Sequence, residues 1–505
     1  MALRVRRTAS VMTAMTAGAT ALAVLTPATA LAADDPLQGY GQQKLRWERC
    51  AADQPESLEC TTVKVPLDYG DPGGRTIGIA VSRIKAGSTA KRHGVLLMNP
   101  GGPGAPGLTM PAGMEPLLPA EVRERFDLVG FDPRGVGRSS PVNCGLTADE
   151  QALHHPYSAG TFGQDVARAR NVADKCWSKA GDLLPHITTR NTARDLDAVR
   201  AALGERTISY LGHSYGTYLG AVYTQMFPRR ADRFVLDSAL DPALVWRGAL
   251  RGTTEAAELA FTRWTRWAAA RDATYGLGAT PEAVRTTFWD LVAQADRTPI
   301  PLEGQLFDGD AIRAQYPVFV QVEAATTFVV ALKAATAGTP AGPSGTVSAA
   351  AETPADAPAD APADAPDMDN VVSAAWAVFC GDAGWPRDPE QYRQEAIRDR
   401  AARPLAGDLG ANIQPCAFWK STPREPATAV DNNVNALIVQ NEWDPQTPLA
   451  MAKGMRRALH GARIVTVAGG EGHGVLVTGR PSCADGYATR YLTTGRLPAT
   501  DRTCG

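Results

Sequence analysis

The sequence has no marked excess of positive or negative charge, and this absence argues against two broad classes of protein. Its 505 residues contain 51 Lys and Arg against 53 Asp and Glu, a formal net charge of −2. A nucleic-acid-binding chain normally carries an excess of basic residues, and a polyanionic tail carries a block of acidic ones. The sequence therefore indicates no nucleic acid partner and no polyanionic tail.

Apolar runs long enough to cross a membrane are also missing after the N-terminus. At the N-terminus itself, a region containing Arg6 and Arg7 precedes a short apolar stretch at about 11–25 and small residues at 28–32. This order is typical of a secretory signal peptide, here residues 1–32, and the arginine pair leaves twin-arginine export open. No cysteine follows the cleavage region, so no lipid anchor is indicated. The sequence predicts a secreted, extracellular protein without a membrane anchor.

The sequence also lacks the cysteine and histidine spacings that are typical of metal sites. None of the cysteines has the CxxC or Cys/His spacing of a zinc site, so no metal and no cofactor is expected. In an oxidising compartment cysteines form disulfides, and partners close in sequence are the simplest choice, with some free buried thiols as the alternative. The eight cysteines then form four pairs: Cys50 with Cys60, Cys144 with Cys176, Cys380 with Cys416, and Cys483 with Cys504.

The strongest catalytic signal lies at residues 212–216 (GHSYG), where Ser214 has a glycine two positions away on each side. An apolar, β-branched stretch at 207–211 predicts a strand before it, and a helical pattern follows. A serine at such a strand–turn–helix junction is the nucleophile elbow of α/β-hydrolases. The turn places the backbone N–H of Tyr215 where it can face a developing oxyanion. Because GxSxG also occurs by chance, an ordinary strand–turn–helix connection is the alternative.

A glycine-proline loop supplies a second element of this chemistry. Residues 99–104 (NPGGPG) follow an apolar strand at 94–98. In α/β-hydrolases the loop after an early strand donates the second N–H of the oxyanion hole, and glycine lets the backbone approach the substrate. Gly102 is the first choice for this donor and Gly101 the second. A plain turn is the alternative, while a phosphate-binding loop would need a G-K-[ST] ending that is missing.

The acid and the base follow in the order that this fold uses. Asp444 and His473 each come just after an apolar strand, so both should lie at the same sheet edge as the serine. His473 would take the serine proton, and Asp444 would fix its tautomer. Asp237 and Glu442 are rival acids. His213, on the elbow itself, is expected to face away from the site.

Strand and helix patterns alternate along most of the chain, which predicts an α/β fold with a mostly parallel sheet covered on both faces. The expected organisation is a hydrolase core at 33–242, a helical cap inserted at 243–420, and the rest of the core at 421–505. Within the insertion, residues 337–367 repeat Pro, Ala and Asp. Such a composition buries no core, so a mobile and solvated segment is expected there.

These motifs together resemble one family. They are NPGGPG at 99–104, FDPRGVGRS at 131–139, GHSYGT at 212–217, DPQTP at 444–448 and GHG at 472–474. The chain resembles, from about Trp47 to its C-terminus, the secreted bacterial tripeptidyl aminopeptidases, which have the α/β-hydrolase fold and are related to proline iminopeptidases. The resemblance includes the four cysteine pairs. It implies an enzyme that releases short peptides from free N-termini, with a helical cap closing its pocket.

An aminopeptidase also needs a carboxylate for the ammonium group of its substrate. Asp382 and Glu442 are the candidates, with a structural or solvated carboxylate as the alternative for each. The leading hypothesis is a secreted, monomeric serine exopeptidase that forms an acyl-enzyme on Ser214. An esterase or amidase acting on small acyl substrates would use the same residues, and a catalytically inactive fold used for binding is a third hypothesis.

Overall fold

The computed structural model describes residues 38–337 and 367–505. The predicted signal peptide at 1–32 lies outside the described residues. So do residues 338–366, which form nearly all of the Pro/Ala/Asp segment.

The strands of the described chain are numbered β1 to β12. They are β1 (Glu48–Arg49), β2 (Glu59–Pro66), β3 (Thr76–Ile84), β4 (Gly94–Asn99), β5 (Phe126–Phe131), β6 (Ile208–His213), β7 (Ala231–Asp237), β8 (Ile300–Leu302), β9 (Gln305–Phe307), β10 (Ala436–Trp443), β11 (Arg463–Glu471) and β12 (Arg502–Cys504).

The α-helices are numbered α1 to α16 in the same way. They are α1 (Gln38–Gly41), α2 (Met110–Met114), α3 (Ala120–Arg123), α4 (Ala148–Gln151), α5 (Phe162–Ala180), α6 (Thr189–Ala202), α7 (Tyr215–Met226), α8 (Arg247–Ala269), α9 (Asp272–Tyr275), α10 (Pro281–Arg297), α11 (Gly309–Ala314), α12 (Val322–Thr336), α13 (Met368–Asp382), α14 (Pro389–Ala402), α15 (Leu449–Ala458) and α16 (Ala484–Thr494). None of these described helices is both long and apolar enough to cross a membrane.

One ten-stranded sheet organises the fold, in the order β1-β2-β3-β5-β4-β6-β7-β10-β11-β12. The first pairings, from β1 to β5, are antiparallel. Every later pairing, from β5 to β12, is parallel. The prediction of an α/β fold with a mostly parallel sheet is confirmed. The loops after β4, β6, β10 and β11 consequently leave the sheet at the same edge.

Both faces of the sheet are covered, as predicted. Along β4, Val95 and Leu97 belong to an apolar cluster that includes residues of α5, α6, α7 and α13. Leu96 and Met98 belong to a different cluster, with residues of α2, α3 and α16. Because successive strand residues point to opposite faces, these two clusters lie on the two sides of the sheet.

Side-chain caps fix the N-terminal boundaries of two helices. Thr280 accepts a hydrogen bond from the N–H of Ala283, and Pro281 occupies the first turn of α10. Thr188 caps α6 by accepting from the N–H of Asn191. After α6, Gly204 has φ of 74°, the left-handed conformation that commonly ends a helix.

The predicted insertion at 243–420 combines two kinds of packing. Helices α8 and α10 and the turn before α12 bury their own aromatic cluster, in which Phe261, Trp264, Phe288 and Phe319 contact one another. Helix α13 instead packs its buried residues on the main core. A short hairpin of β8 and β9, which the sequence did not indicate, also lies in this interval. The exact limits of the cap stay a prediction.

All four predicted disulfides are present: Cys50–Cys60, Cys144–Cys176, Cys380–Cys416 and Cys483–Cys504. No cysteine in the described chain is free. Four disulfides are consistent with an extracellular or otherwise oxidising compartment.

Arg134, in the loop after β5, joins neighbouring elements of the fold through buried hydrogen bonds. Its guanidinium donates to both carboxylate oxygens of Asp195, at 2.6 and 2.7 Å, and both side chains are fully buried. It also donates to the carbonyl oxygens of Pro66, Leu67 and His186. This fork of hydrogen bonds joins β2 to α6 behind the catalytic edge of the sheet.

Candidate active site

Ser214 occupies a strained turn between β6 and α7, with φ of 55° and ψ of −124°. A Cβ on Gly212 would lie 2.5 Å from the carbonyl oxygen of Gly216. A Cβ on Gly216 would lie 2.7 Å from Oδ1 of Asn99. Both glycines are therefore required for this turn, and the backbone of Ser214 has the geometry of a nucleophile elbow.

His473 and Asp444 lie together, as their positions after β11 and β10 indicate. Nδ1 of His473 is 2.9 Å from Oδ2 and 3.0 Å from Oδ1 of Asp444. His473 and Ser214 both line a cavity of about 870 Å³. The structure thus brings the serine, the histidine and the acid together at the edge of the sheet where the sequence places them.

Asp444 is only 2% exposed, yet its carboxylate is well supplied with hydrogen bonds. It accepts from the N–H of Gln446 at 2.9 Å, and from the N–H and the hydroxyl of Thr447 at 2.8 and 3.0 Å. Burial alone would raise the pKa of Asp444, but the adjacent His473 and these donors outweigh burial and lower the pKa. Asp444 is therefore ionised at neutral pH and can orient the imidazole.

The rival acid Asp237 has a different task. Its carboxylate accepts hydrogen bonds from the backbone N–H groups of Val475, Leu476 and Val477, just after His473. Complete burial raises the pKa of Asp237 to about 6. Asp237 thus anchors the loop that carries the histidine, whereas Asp444 contacts the imidazole itself.

Asn441, in β10, holds the backbone on both sides of His473. Its Nδ2 donates to the carbonyl oxygens of Gly472 at 3.0 Å and of Gly474 at 2.9 Å. Asn441 and Thr447 were not predicted from the sequence, where their only signal is their position near Asp444. These side chains determine where the catalytic imidazole lies.

We expect Asn441→Ala to lower kcat by about 10- to 100-fold with a smaller effect on KM, because small displacements of a catalytic group are costly. Loss of two buried hydrogen bonds should also lower the free energy of unfolding by about 1–3 kcal/mol. Steady-state kinetics and denaturant unfolding measure the two effects. Asn433→Ala, at an exposed position just before β10, is the matched control. An unchanged kcat in Asn441→Ala would contradict this role.

The loop after β4 presents one available oxyanion donor beside the serine. The N–H of Gly101 donates to Oδ1 of Asn99 at 3.1 Å, so it is already used. The N–H groups of Gly102 and Tyr215 have no hydrogen-bond partner among the described residues. A Cβ on Gly101 would lie 2.9 Å from Cβ of Ser214. This close approach requires glycine at 101 and favours Gly102 as the donor that accompanies Tyr215.

His213 does not face away from the site, so that expectation was wrong. Its ring centroid lies 4.5 Å from the centroid of His473, and the side chain lines the same cavity. Nδ1 of His213 donates to the carbonyl oxygen of Pro100 at 3.1 Å. Burial, with the neighbouring His473, lowers the pKa of His213 to about 3. A neutral imidazole therefore packs between the oxyanion loop and the catalytic histidine.

Asp382 does not line the cavity. Its buried carboxylate accepts from the N–H of Thr189 at 2.7 Å, from the hydroxyl of Thr189 at 2.6 Å, and from the indole of Trp246 at 3.3 Å. Burial raises the pKa of Asp382 to about 6. The Thr189 hydroxyl also contacts the Tyr215 hydroxyl at 2.9 Å. Asp382 thus stabilises the junction behind the elbow, where a substrate ammonium has no access.

Glu442 does not line the cavity either. It is exposed, and its Oε2 accepts from the N–H of Gly469 at 2.7 Å. Among the described residues that line the cavity, the carboxylate is supplied by Glu471. The structure therefore places neither predicted ammonium-binding candidate in the cavity that contains Ser214, and it offers a third carboxylate in that cavity.

Comparisons with known proteins agree with this fold. A family model described as the alpha/beta hydrolase fold matches residues 94–284, and one described as a TAP-like protein matches residues 403–504. The chain is 35% identical over 475 residues to the tripeptidyl aminopeptidase of Streptomyces lividans, covering 91% of this chain and 86% of that protein.

Two mycobacterial relatives are nearly as similar. The serine protease Hip1 of Mycobacterium tuberculosis is 31% identical over 505 residues, covering 92% of this chain and 91% of that protein. A protein named carboxylesterase B, from the same species, is 31% identical over 486 residues, covering 91% of this chain and 89% of its own length. The chain belongs to the tripeptidyl aminopeptidase family, a family of serine peptidases with the α/β-hydrolase fold.

Proposed function

We propose that the protein is a secreted aminopeptidase that releases short peptides, tripeptides above all, from free N-termini. The observation that carries this proposal is His473, which is paired with Asp444 and lines the same cavity as a serine on a strained elbow. The chain aligns with a tripeptidyl aminopeptidase over 91% of its length, which supports the substrate class.

In the proposed acylation step, Oγ of Ser214 attacks the carbonyl carbon of the scissile peptide bond. Nδ1 of His473 is held by Asp444, so Nε2 takes the serine proton. The N–H groups of Tyr215 and Gly102 donate to the oxyanion of the tetrahedral intermediate. His473 then returns the proton to the leaving amine, and the C–N bond breaks.

Deacylation repeats these steps with water as the nucleophile. His473 takes a proton from water, the hydroxide attacks the acyl-enzyme carbonyl, and Ser214 leaves with the proton that His473 returns. Ionised Asp444 stabilises the imidazolium in both halves of the reaction. No other chemical group is needed to balance this sequence.

The size of the cavity supports a substrate of several residues. A volume of about 870 Å³ lies in the upper part of the range for ligand sites, which bury most of a drug-sized molecule. The predicted signal peptide and the four disulfides support secretion.

An esterase acting on small acyl substrates is the second candidate function. One relative at 31% identity is named carboxylesterase B, and the same three residues would hydrolyse an ester.

A matched set of chromogenic substrates separates the two functions. The set contains a single alanine derivative, a free-amino dipeptide, a free-amino tripeptide, the N-acetylated tripeptide and a simple acyl ester. Hydrolysis of each is measured with the mature protein. We expect the free tripeptide to have the highest kcat/KM and acetylation to abolish the preference. If the acetylated peptide or the ester is cleaved as well or better, the esterase or amidase hypothesis replaces the aminopeptidase.

A further inference from the structure

We propose that Glu471 binds the α-ammonium group of the substrate and that Arg263 holds Glu471 in place for this task. The inference rests on the proposed aminopeptidase function and names the residue that would give it specificity for free N-termini. A buried ammonium is costly unless an anion pairs with it. The anion must also lie within the cavity that contains the serine.

Glu471 meets that requirement by its position. It is the last residue of β11, two residues before His473, and it lines the cavity together with Ser214. The other residues of the described chain that line this cavity contribute no Asp or Glu. The side chain of Glu471 is 28% exposed, so a ligand in the cavity can reach it.

Arg263, on α8, positions the Glu471 carboxylate. Its guanidinium forms an ion pair with Oε1 of Glu471, donates to the carbonyl oxygen of Val320 at 3.0 Å and lies 4.6 Å from the ring centroid of Trp443. The contacts with Val320 and Trp443 hold this guanidinium, and its ion pair in turn holds the carboxylate. The carboxylate therefore has a defined place before substrate arrives.

One oxygen of that carboxylate is still available. Within the described chain, the arginine contacts Oε1 of Glu471, and no hydrogen bond reaches Oε2. Gln321 also lines the cavity, and its Nε2 lies 3.8 Å from where a Cβ on Gly472 would stand, so its amide is close to the same strand end. In this proposal an ammonium group donates to Oε2 of Glu471 and to the side-chain amide oxygen of Gln321.

A fixed ammonium site would also explain how such an enzyme sets the length of the peptide that it releases. The carboxylate is attached to β11 and the nucleophile to the elbow after β6, both of which belong to one sheet. The sheet thus fixes the positions from which the side chains of Glu471 and Ser214 reach into the cavity. Their separation would determine how many residues lie between the substrate's N-terminus and the bond that is cut.

The test compares Glu471→Gln with the wild-type mature protein on the free-amino and the N-acetylated tripeptide substrates. Loss of one charged hydrogen bond should lower kcat/KM for the free peptide by about 10- to 100-fold, mainly through KM. The acetylated peptide should be cleaved at an unchanged rate. Labelling of Ser214 by a small fluorophosphonate, which has no ammonium group, should also stay unchanged and shows that the variant is folded.

Three further variants sharpen the test. Arg263→Gln should raise KM for the free peptide and leave the acetylated peptide unaffected, so it gives an independent result if Glu471→Gln misfolds. Glu323→Gln, an exposed carboxylate on α12, is the control for the substitution itself. Glu442→Gln tests the carboxylate outside the cavity. If this variant, and not Glu471→Gln, loses the preference for the free over the acetylated peptide, the proposal is overturned.

The outcomes separate the two proposals. If the wild-type protein does not distinguish free from acetylated peptides, the aminopeptidase function fails, and the ammonium site fails with it. The other outcome is that the wild type distinguishes them while Glu471→Gln and Arg263→Gln both keep the wild-type ratio of kcat/KM for the free peptide to kcat/KM for the acetylated peptide. In that case the aminopeptidase function stands and the assignment of Glu471 is wrong.

Discussion

Ser214→Ala should lower kcat for the free-amino tripeptide by about 10⁵-fold or more, the largest loss expected from any single substitution in this chain. The hydroxyl is the atom that forms the acyl-enzyme, and alanine offers no replacement. The elbow should survive the change, because its shape depends on Gly212 and Gly216, where a Cβ would meet backbone or side-chain atoms. The loss should therefore come from chemistry and not from unfolding.

Kinetics, fluorophosphonate labelling and thermal unfolding together check this expectation. Ser214→Ala should lose labelling, retain a cooperative unfolding transition and still bind the uncleaved tripeptide. Ser178→Ala, at an exposed serine on α5, is the control and should behave as wild type. Residual hydrolysis within about 100-fold of wild type would mean that another residue attacks the substrate, since non-covalent contributions alone leave far less activity.

The sequence predicted the parts of the fold that depend on local pattern. Strands β4, β6, β10 and β11 are apolar runs followed by glycine, proline or polar loops, and the described structure has each of them near its predicted place. Because parallel strands end at a common edge, the positions of Ser214, Asp444 and His473 after three of these runs were enough to predict their proximity. The disulfides were also predictable from local pattern, because each cysteine pairs with the cysteine nearest to it in the sequence.

Side-chain direction in loops and helices was not predictable in this way. The orientation of His213 is set by a hydrogen bond to Pro100, a residue more than a hundred positions earlier, and nothing in the local pattern shows it. Asp382 ends α13, a helix that is apolar on nearly all sides, and that composition was a signal of burial that the prediction did not use.

Glu471 was missed because β11 is longer than its apolar run. The pattern predicts a strand that ends near Val467, whereas the pairing with β10 resumes at Glu471 after an irregularity. This extension places Glu471 on the sheet edge instead of in a free loop. Local hydrophobicity cannot report such an extension, because the residues from 468 to 470 are alanine and two glycines.

Asp444→Asn should have the second largest effect, a fall in kcat of about 10⁴-fold with a modest change in KM. The aspartate accepts from Thr447, Gln446 and the Nδ1–H of His473. An asparagine has one acceptor oxygen, and its NH₂ group must face one of these donors. If it faces His473, the imidazole is held as the wrong tautomer, with Nε2 protonated and unable to take the serine proton.

The exposed pair of His460 and Asp431 provides a matched control for this substitution. Nε2 of His460 lies 2.5 Å from Oδ1 of Asp431, so the local contact resembles that of the active site, but the pair is remote from the cavity lining. Asp431→Asn should leave kcat unchanged. Equal losses in the two variants would show that the effect of Asp444→Asn is a general loss of stability.

Non-additivity gives the sharper criterion, because Asp444 acts on the reaction only through His473 and Ser214. Once Ser214→Ala has removed the nucleophile, the tautomer of His473 no longer matters, and adding Asp444→Asn should cause no further fall in the residual rate. An additive loss of another 10⁴-fold, on the order expected for Asp444→Asn alone, would require Asp444 to contact the substrate independently. The carboxylate is 2% exposed and surrounded by its own donors, which leaves no room for that contact.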